Sequence, residues 1–162
     1  MSLERIRLPE EVRHWHGDMI CDYTYTLGVA GEKFYSGLKE GRIIGSKCPE
    51  CGRIFVPPSA YCPFCFTELT EWVEVPDEGF VYALTVAHVD ADGEPLEEPE
   101  LYAFIVLERP GEGQEIYGGI LHKLGEVRPE EAYIGMRVRA VWAPPEERKG
   151  TLADIRYFRP IE

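Results

Sequence analysis

No stretch of this 162-residue chain approaches the roughly 18 consecutive apolar residues that a membrane helix needs. The opening MSLERIRLPEEVRHW also lacks the apolar centre of a secretory leader, so the chain reads as soluble and cytoplasmic, with no membrane partner. Catalytic signatures are missing as well. There is no G-x-S-x-G elbow, no phosphate loop of the Walker type and no G-x-G-x-x-G after a strand, which counts against catalysis without excluding it. Basic charge is scarce. Lysine and arginine number 17 against 29 acids, a net charge of -12, and residues 71–115 hold thirteen acids against Arg109 alone. Single-strand-binding barrels need a positive groove as well as stacking aromatics, so this charge argues against a nucleic-acid partner.

Cysteine, by contrast, is concentrated. Four of the five cysteines stand in CPECGRIFVPPSAYCPFC as two Cys-x-x-Cys pairs ten residues apart: Cys48, Cys51, Cys62 and Cys65. Paired knuckles of this spacing hold a tetrahedral ion, and four thiolates close its coordination shell, which makes the site structural. Zn2+ is the expected metal, with iron in a redox knuckle the competing reading. A segment of about 23 residues encloses too little apolar surface to fold alone, and structural zinc supplies on the order of 10–16 kcal/mol in finger peptides. Gly52 after the first knuckle suits a left-handed backbone, whereas Phe66 in the matching place predicts strain and a distorted second knuckle.

Three segments follow: an N-terminal helical arm over 1–47, a rubredoxin-like zinc ribbon over 48–70 and a β-rich unit over 71–162. AGEKFYSGLKEG sets Phe34 and Leu38 four apart with Tyr35 beside them and Gly41 as a stop, the pattern of a short helix; DYTYTLGV before it admits a strand. Beyond Trp72, strands are predicted at 80–90, 101–108, 115–122, 135–143 and 151–158. The breaks between them are turn-rich, and only RPEEAY has room for a helical turn. Five strands with the longest connection between the third and fourth match a C-terminal OB-fold barrel, and the whole is a mainly β protein; another small antiparallel barrel or sandwich is the alternative.

Other residue chemistry reads as ordinary. His14, His16, His88 and His122 lack a visible ligand set, Cys21 lacks a base, and Arg137, Arg139, Arg156 and Arg159 make either a small anion patch or a solvated barrel face.

The run GEKFYSGLKEGRIIGSKCPECGRIFVPPSAYCPFC, then GFVYALTVAHV and later YIGMRVRAVW, resembles the two-domain zinc-ribbon/OB-fold family first catalogued as a domain of unknown function. The resemblance spans about residues 28–160. It implies a non-catalytic scaffold that accompanies a thiolase-fold enzyme, such as acetoacetyl-CoA thiolase with hydroxymethylglutaryl-CoA synthase or a sterol side-chain aldolase, and an acyl-CoA ligand. The family's arginine after the paired prolines is Ser59 here. A single-stranded nucleic-acid-binding protein is the alternative function. On the scaffold reading, Phe34, Tyr35 and Leu38 of the arm join Phe55, Val56, Tyr61, Phe64 and Phe66 of the ribbon in a docking surface. Lys39, with Lys33, Arg42 and Lys47, then faces the nucleotide end of CoA.

Overall fold

The computed structural model describes residues 22–90, 92–108 and 115–161, and its first regular element is α1, Gly28–Glu40. Asp22–Leu27 form no strand. His14, His16 and Cys21 lie outside the described residues. The helix stops where expected, as the Gly41 N–H donates to Leu38 O and the Arg42 N–H to Gly37 O, both at 2.9 Å. Its apolar stripe does not face solvent. Phe34 and Leu38 are buried in the main core, so they are not displayed for a partner. A helix this short is marginal by itself, and the chain's own strands supply the surface it packs on.

The first sheet has the order β3-β1-β2-β6, built from β1 (Ile43–Lys47), β2 (Ile54–Val56), β3 (Glu71–Val75) and β6 (Ile116–Gly118). β1 pairs antiparallel with both β2 and β3. Its strand lies inside the stretch read as an arm, yet its hydrogen bonds belong to the ribbon's sheet. β6 comes from the far side of the barrel sequence and joins β2 in parallel, with Ile54 opposite Ile116 and Val56 opposite Gly118. Gly118 sits at φ +89°, and a Cβ there would lie 2.1 Å from Val56 O, so the pairing requires glycine.

Five further strands close a barrel in the order β4-β5-β7-β9-β8: β4 (Glu78–Val89), β5 (Pro95–Leu107), β7 (Ile120–Leu124), β8 (Arg137–Trp142) and β9 (Ile155–Pro160). This is the OB arrangement expected. Three details differ from the sequence expectation. EIYGGILH is two strands, because the chain leaves the ribbon sheet at Gly118 and enters the barrel at Ile120. β5 begins at Pro95, inside a stretch that looked like a turn. TLADIRYF opens with a 3-10 turn, Leu152–Asp154, before β9. The RPEEAY stretch makes one turn, with the Ala132 N–H donating to Arg128 O at 3.2 Å. A single core runs through helix, ribbon sheet and barrel, from Phe34 and Leu38 past Ile43 and Val56 to Ile105 and Phe158.

The loop between β8 and β9 is tied by Asp154, a buried carboxylate accepting the N–H groups of Lys149 (2.9 Å), Gly150 (2.7 Å) and Thr151 (3.1 Å). Burial by itself raises this carboxyl, but the three donors and the Arg148 charge outweigh it and hold the pKa below the usual range. Asp154→Asn should therefore cost about 1–3 kcal/mol at neutral pH. A depressed pKa contributes stability that is complete above the unfolded value near ~3.9 and lost as pH falls through the folded one. Urea unfolding of both proteins should show a gap at pH 7 that narrows toward pH 2; an unchanged gap contradicts the charge argument.

Candidate metal centre

Each Cys-x-x-Cys pair sits on a tight turn, and the two turns repeat one hydrogen-bond scheme. The Cys48 N–H donates to Arg53 O and the Cys62 N–H to Thr67 O, both at 2.9 Å. Gly52 N–H returns to Cys48 O at 2.9 Å, and Phe66 N–H returns to Cys62 O at 2.8 Å. Gly52 has φ 73° and Phe66 φ 59°. The expected distortion of the second knuckle is thus absent: Phe66 adopts the left-handed geometry, and the cost stays in the backbone, about 1–2 kcal/mol for a residue with a Cβ.

The four thiol sulfurs lie within 4.8 Å of one another. A tetrahedron with ligand bonds of about 2.3 Å has edges of about 3.8 Å. Cys51 Sγ and Cys62 Sγ are 3.8 Å apart, so the cluster fits a tetrathiolate ion with little rearrangement. Cys48 and Cys62 are buried, and the other two are half-buried. The Arg53 backbone N–H lowers the Cys51 thiol to about 6, whereas burial pushes Cys48 up. Four such groups cannot all ionise together at this spacing without a cation among them. All four ligand positions of a tetrahedral zinc would be filled by protein sulfur, which leaves none for water or substrate.

Around the cluster stands an aromatic wall. Phe55 is buried with Cys48, Cys62 and Leu69, so it holds the ribbon together and does not face a partner. Its ring stacks on Phe64 at 6.3 Å, and Phe64 meets Tyr117 of β6 edge-on at 5.2 Å. The Arg53 guanidinium lies 4.5 Å over the Phe64 ring, and its Nε donates to the Tyr117 hydroxyl at 3.0 Å. Tyr117 in turn donates to Glu115 at 2.6 Å. Sequence reading missed Arg53 and Tyr117; the paired glycines after Tyr117 were the signal that its strand changes sheets. Outward from this wall, Tyr61 is 60% exposed, Phe64 52% and Phe66 82%.

The remaining candidates separate. Tyr35 is half-buried against the core, and Lys39 is exposed on α1. Arg42 pairs with Glu40 and Glu74, and Lys47 with Glu71 at 3.6 Å. Ser59 donates its N–H to the hydroxyl of the fully buried Ser46 at 2.9 Å. On the barrel every one of the four arginines meets a carboxylate: Arg137 with Glu108, Arg139 with Glu78, Arg156 with Glu147 and Arg159 with Glu126. They form a neutralised face and no anion patch. His122 accepts the Lys123 N–H at Nδ1 (2.9 Å) and donates from Nε2 to Leu152 O (3.1 Å), and His88 is exposed on β4.

Residues 36–71 match the profile of the ChsH2 rubredoxin-like zinc ribbon domain, and residues 72–143 that of the ChsH2 C-terminal OB-fold domain. A DUF35 domain-containing scaffold protein of Methanocaldococcus jannaschii is 36% identical over 125 residues, 74% of this chain and 82% of that protein. The chain belongs to the DUF35 family. A crystal structure of a DUF35 protein from Sulfolobus solfataricus superposes with a TM-score of 0.61 at 32% identity, covering 82% of this chain and 84% of the other. A chain of the Ltp2-ChsH2(DUF35) aldolase does so at 0.56 and 26% identity, over 78% of this chain and 91% of that one. No described helix is long and apolar enough to cross a membrane.

Two outcomes test the centre. Chelation should collapse NMR dispersion across residues 48–65, because so few side chains are buried there without the ion; native shifts after complete metal loss contradict a structural role. Phe66→Gly should stabilise the metal-loaded protein by up to about 1 kcal/mol in chemical denaturation, the relief of left-handed strain less glycine's own entropy cost.

Proposed function

We propose that this chain is a non-catalytic, cytoplasmic accessory subunit that holds one structural Zn2+, docks a thiolase-fold enzyme and helps bind or channel its acyl-CoA. The observation that carries the reading is the exposed aromatic face of Tyr61, Phe64 and Phe66 on a ribbon braced by metal, stacking and the β2–β6 joint. Three aromatic rings in solvent on so small a surface are costly to a monomer and typical of the buried centre of an interface. Phe66 adds a second cost, since its backbone is strained where glycine would be free. Strain of this kind collects at functional surfaces. Kinship with the ChsH2 chain of an aldolase assembly, and with a relative named as a scaffold, supports the same assignment.

The docking surface is narrower than the sequence suggested. Phe34, Leu38 and Phe55 belong to interior clusters, which leaves Tyr61, Phe64 and Phe66, with Tyr35 at the margin. Lys33 and Lys39 are exposed on α1 and have no ion pair among the described residues, so they are the cations available to an anionic nucleotide end. Arg42 and Lys47 are already neutralised.

Tyr61→Ser combined with Phe66→Ser should abolish co-purification with the thiolase-fold partner from native extract. Metal content should stay stoichiometric and the melting temperature should change by no more than a few degrees. Retention of the partner at wild-type stoichiometry overturns this interface. Phe55→Ala is the contrasting control: it removes a buried ring and should destabilise the ribbon by about 3–5 kcal/mol.

A further inference from the structure

β4 and β5 are longer than the strands that flank them in the barrel. β8 pairs with β4 only over Glu78–Phe80, followed by the Val81 N–H to Met136 O (3.0 Å) and the Gly135 N–H to Val81 O (2.7 Å). β7 pairs with β5 only over Leu101–Ile105. Past Val81 no described strand pairs with the outer side of β4: Ala83–Val86 lie beside Phe104–Leu101 of β5, which β7 covers on its far side, and Ala87 lies opposite Glu100, where the pairing with β7 has ended. The free edge of β4, ALTVA over 83–87, is uncharged, free of proline and rich in β-formers, with none of the charges that blunt natural edges. Irregularities at Val81/Ala83 and Ala87/Val89 bracket it, so the five residues between are a regular strand.

We propose that this edge is a self-association site, at which β4 of a second copy of the chain adds antiparallel about a two-fold axis at Thr85. Three features favour a second copy over another occupant. The edge is self-complementary: a two-fold at Thr85 pairs the two threonines and sets Ala83 opposite Ala87, small residues that let the strands close up. The exposed apolar side chains lie at opposite ends, with Tyr82, Tyr133 and Ile134 where β8 begins and Val89 near the hairpin tip. Antiparallel pairing brings Val89 of each copy to the tyrosine end of the other. Charge agrees as well. The acidic tips, Asp90, Asp92 and Glu94, fall roughly 34 Å apart across ten strand residues, beyond the screening length of about 10 Å. The aromatic face of the metal ribbon takes no part, so a dimer formed this way keeps both docking surfaces free.

Sedimentation equilibrium of the full metal-loaded chain from about 1 to 300 µM tests the proposal, together with hydrogen exchange of the peptide covering 82–89. A concentration-dependent dimer is expected, with amides 83–87 gaining protection as the dimer forms. Thr85→Glu sets two like charges face to face and should raise the dimer dissociation constant about tenfold or more. Val89→Glu, at an exposed position off the pairing centre, should weaken it as well. Both should keep the wild-type circular dichroism and metal content, and should a variant fail to fold, exchange in the wild type decides alone. A wild-type monomer throughout, or a dimer indifferent to both substitutions, overturns the proposal. So does protection of 83–87 that persists unchanged on dilution, which would mean that another segment of the same chain covers the edge.

Discussion

Parallel pairing of β2 with β6 is the joint on which the rest of the molecule depends. Three residues of the metal ribbon bond to three residues that the barrel sequence sends across, and Gly118 allows the backbones to meet where any side chain would strike Val56 O. Gly119 then donates to the same carbonyl at 2.8 Å, so the chain turns straight from one sheet into the next. On the outer side Arg53 lies over Phe64 of the same ribbon and bonds to Tyr117 of β6, which ties the two segments together. A ribbon fixed this way cannot swing relative to the barrel, and an ion held by the four thiols would brace a surface already locked in place.

This rigidity gives the aromatic face its meaning. Ordering a side chain at an interface costs free energy, and rings that are already held lose less of it on binding. Phe64 is held by stacking and by the arginine above it, whereas at Phe66 the left-handed knuckle, closed by its own N–H onto Cys62 O, fixes the backbone. The interior rings do the opposite work. Phe34 and Leu38 dock α1 onto the ribbon sheet and barrel, and Phe55 closes the small cluster beside the thiols. Aromatic residues that look alike in the sequence therefore divide into a structural set and a presented set.

Charge is arranged to be silent over most of the barrel. Each of the four arginines on β8 and β9 faces a carboxylate, exposed pairs that contribute little stability but cancel the local field. At the β4–β5 turn, by contrast, Asp90, Asp92 and Glu94 have no ion pair among the described residues.

Whatever depends on neighbours in the chain was legible in the sequence. The two knuckles form within four residues each and announce the metal cluster; the spacing of Phe34 and Leu38 marks the helix, with its stop at Gly41; and the alternation beyond Trp72 marks the barrel strands. What depended on tertiary structure was which surface each element keeps. Nothing local says that Phe34, Leu38 and Phe55 turn inward while Phe66 turns out, because burial is decided by what packs opposite. The sharing of β6 between two sheets, and the transfer of Tyr117 to the ribbon it never neighbours in sequence, arise from pairing across some sixty residues. The same holds for the four arginines, whose carboxylate partners lie from nine to sixty-one residues away in the chain, so that a periodic row of cations became a neutral face only on folding.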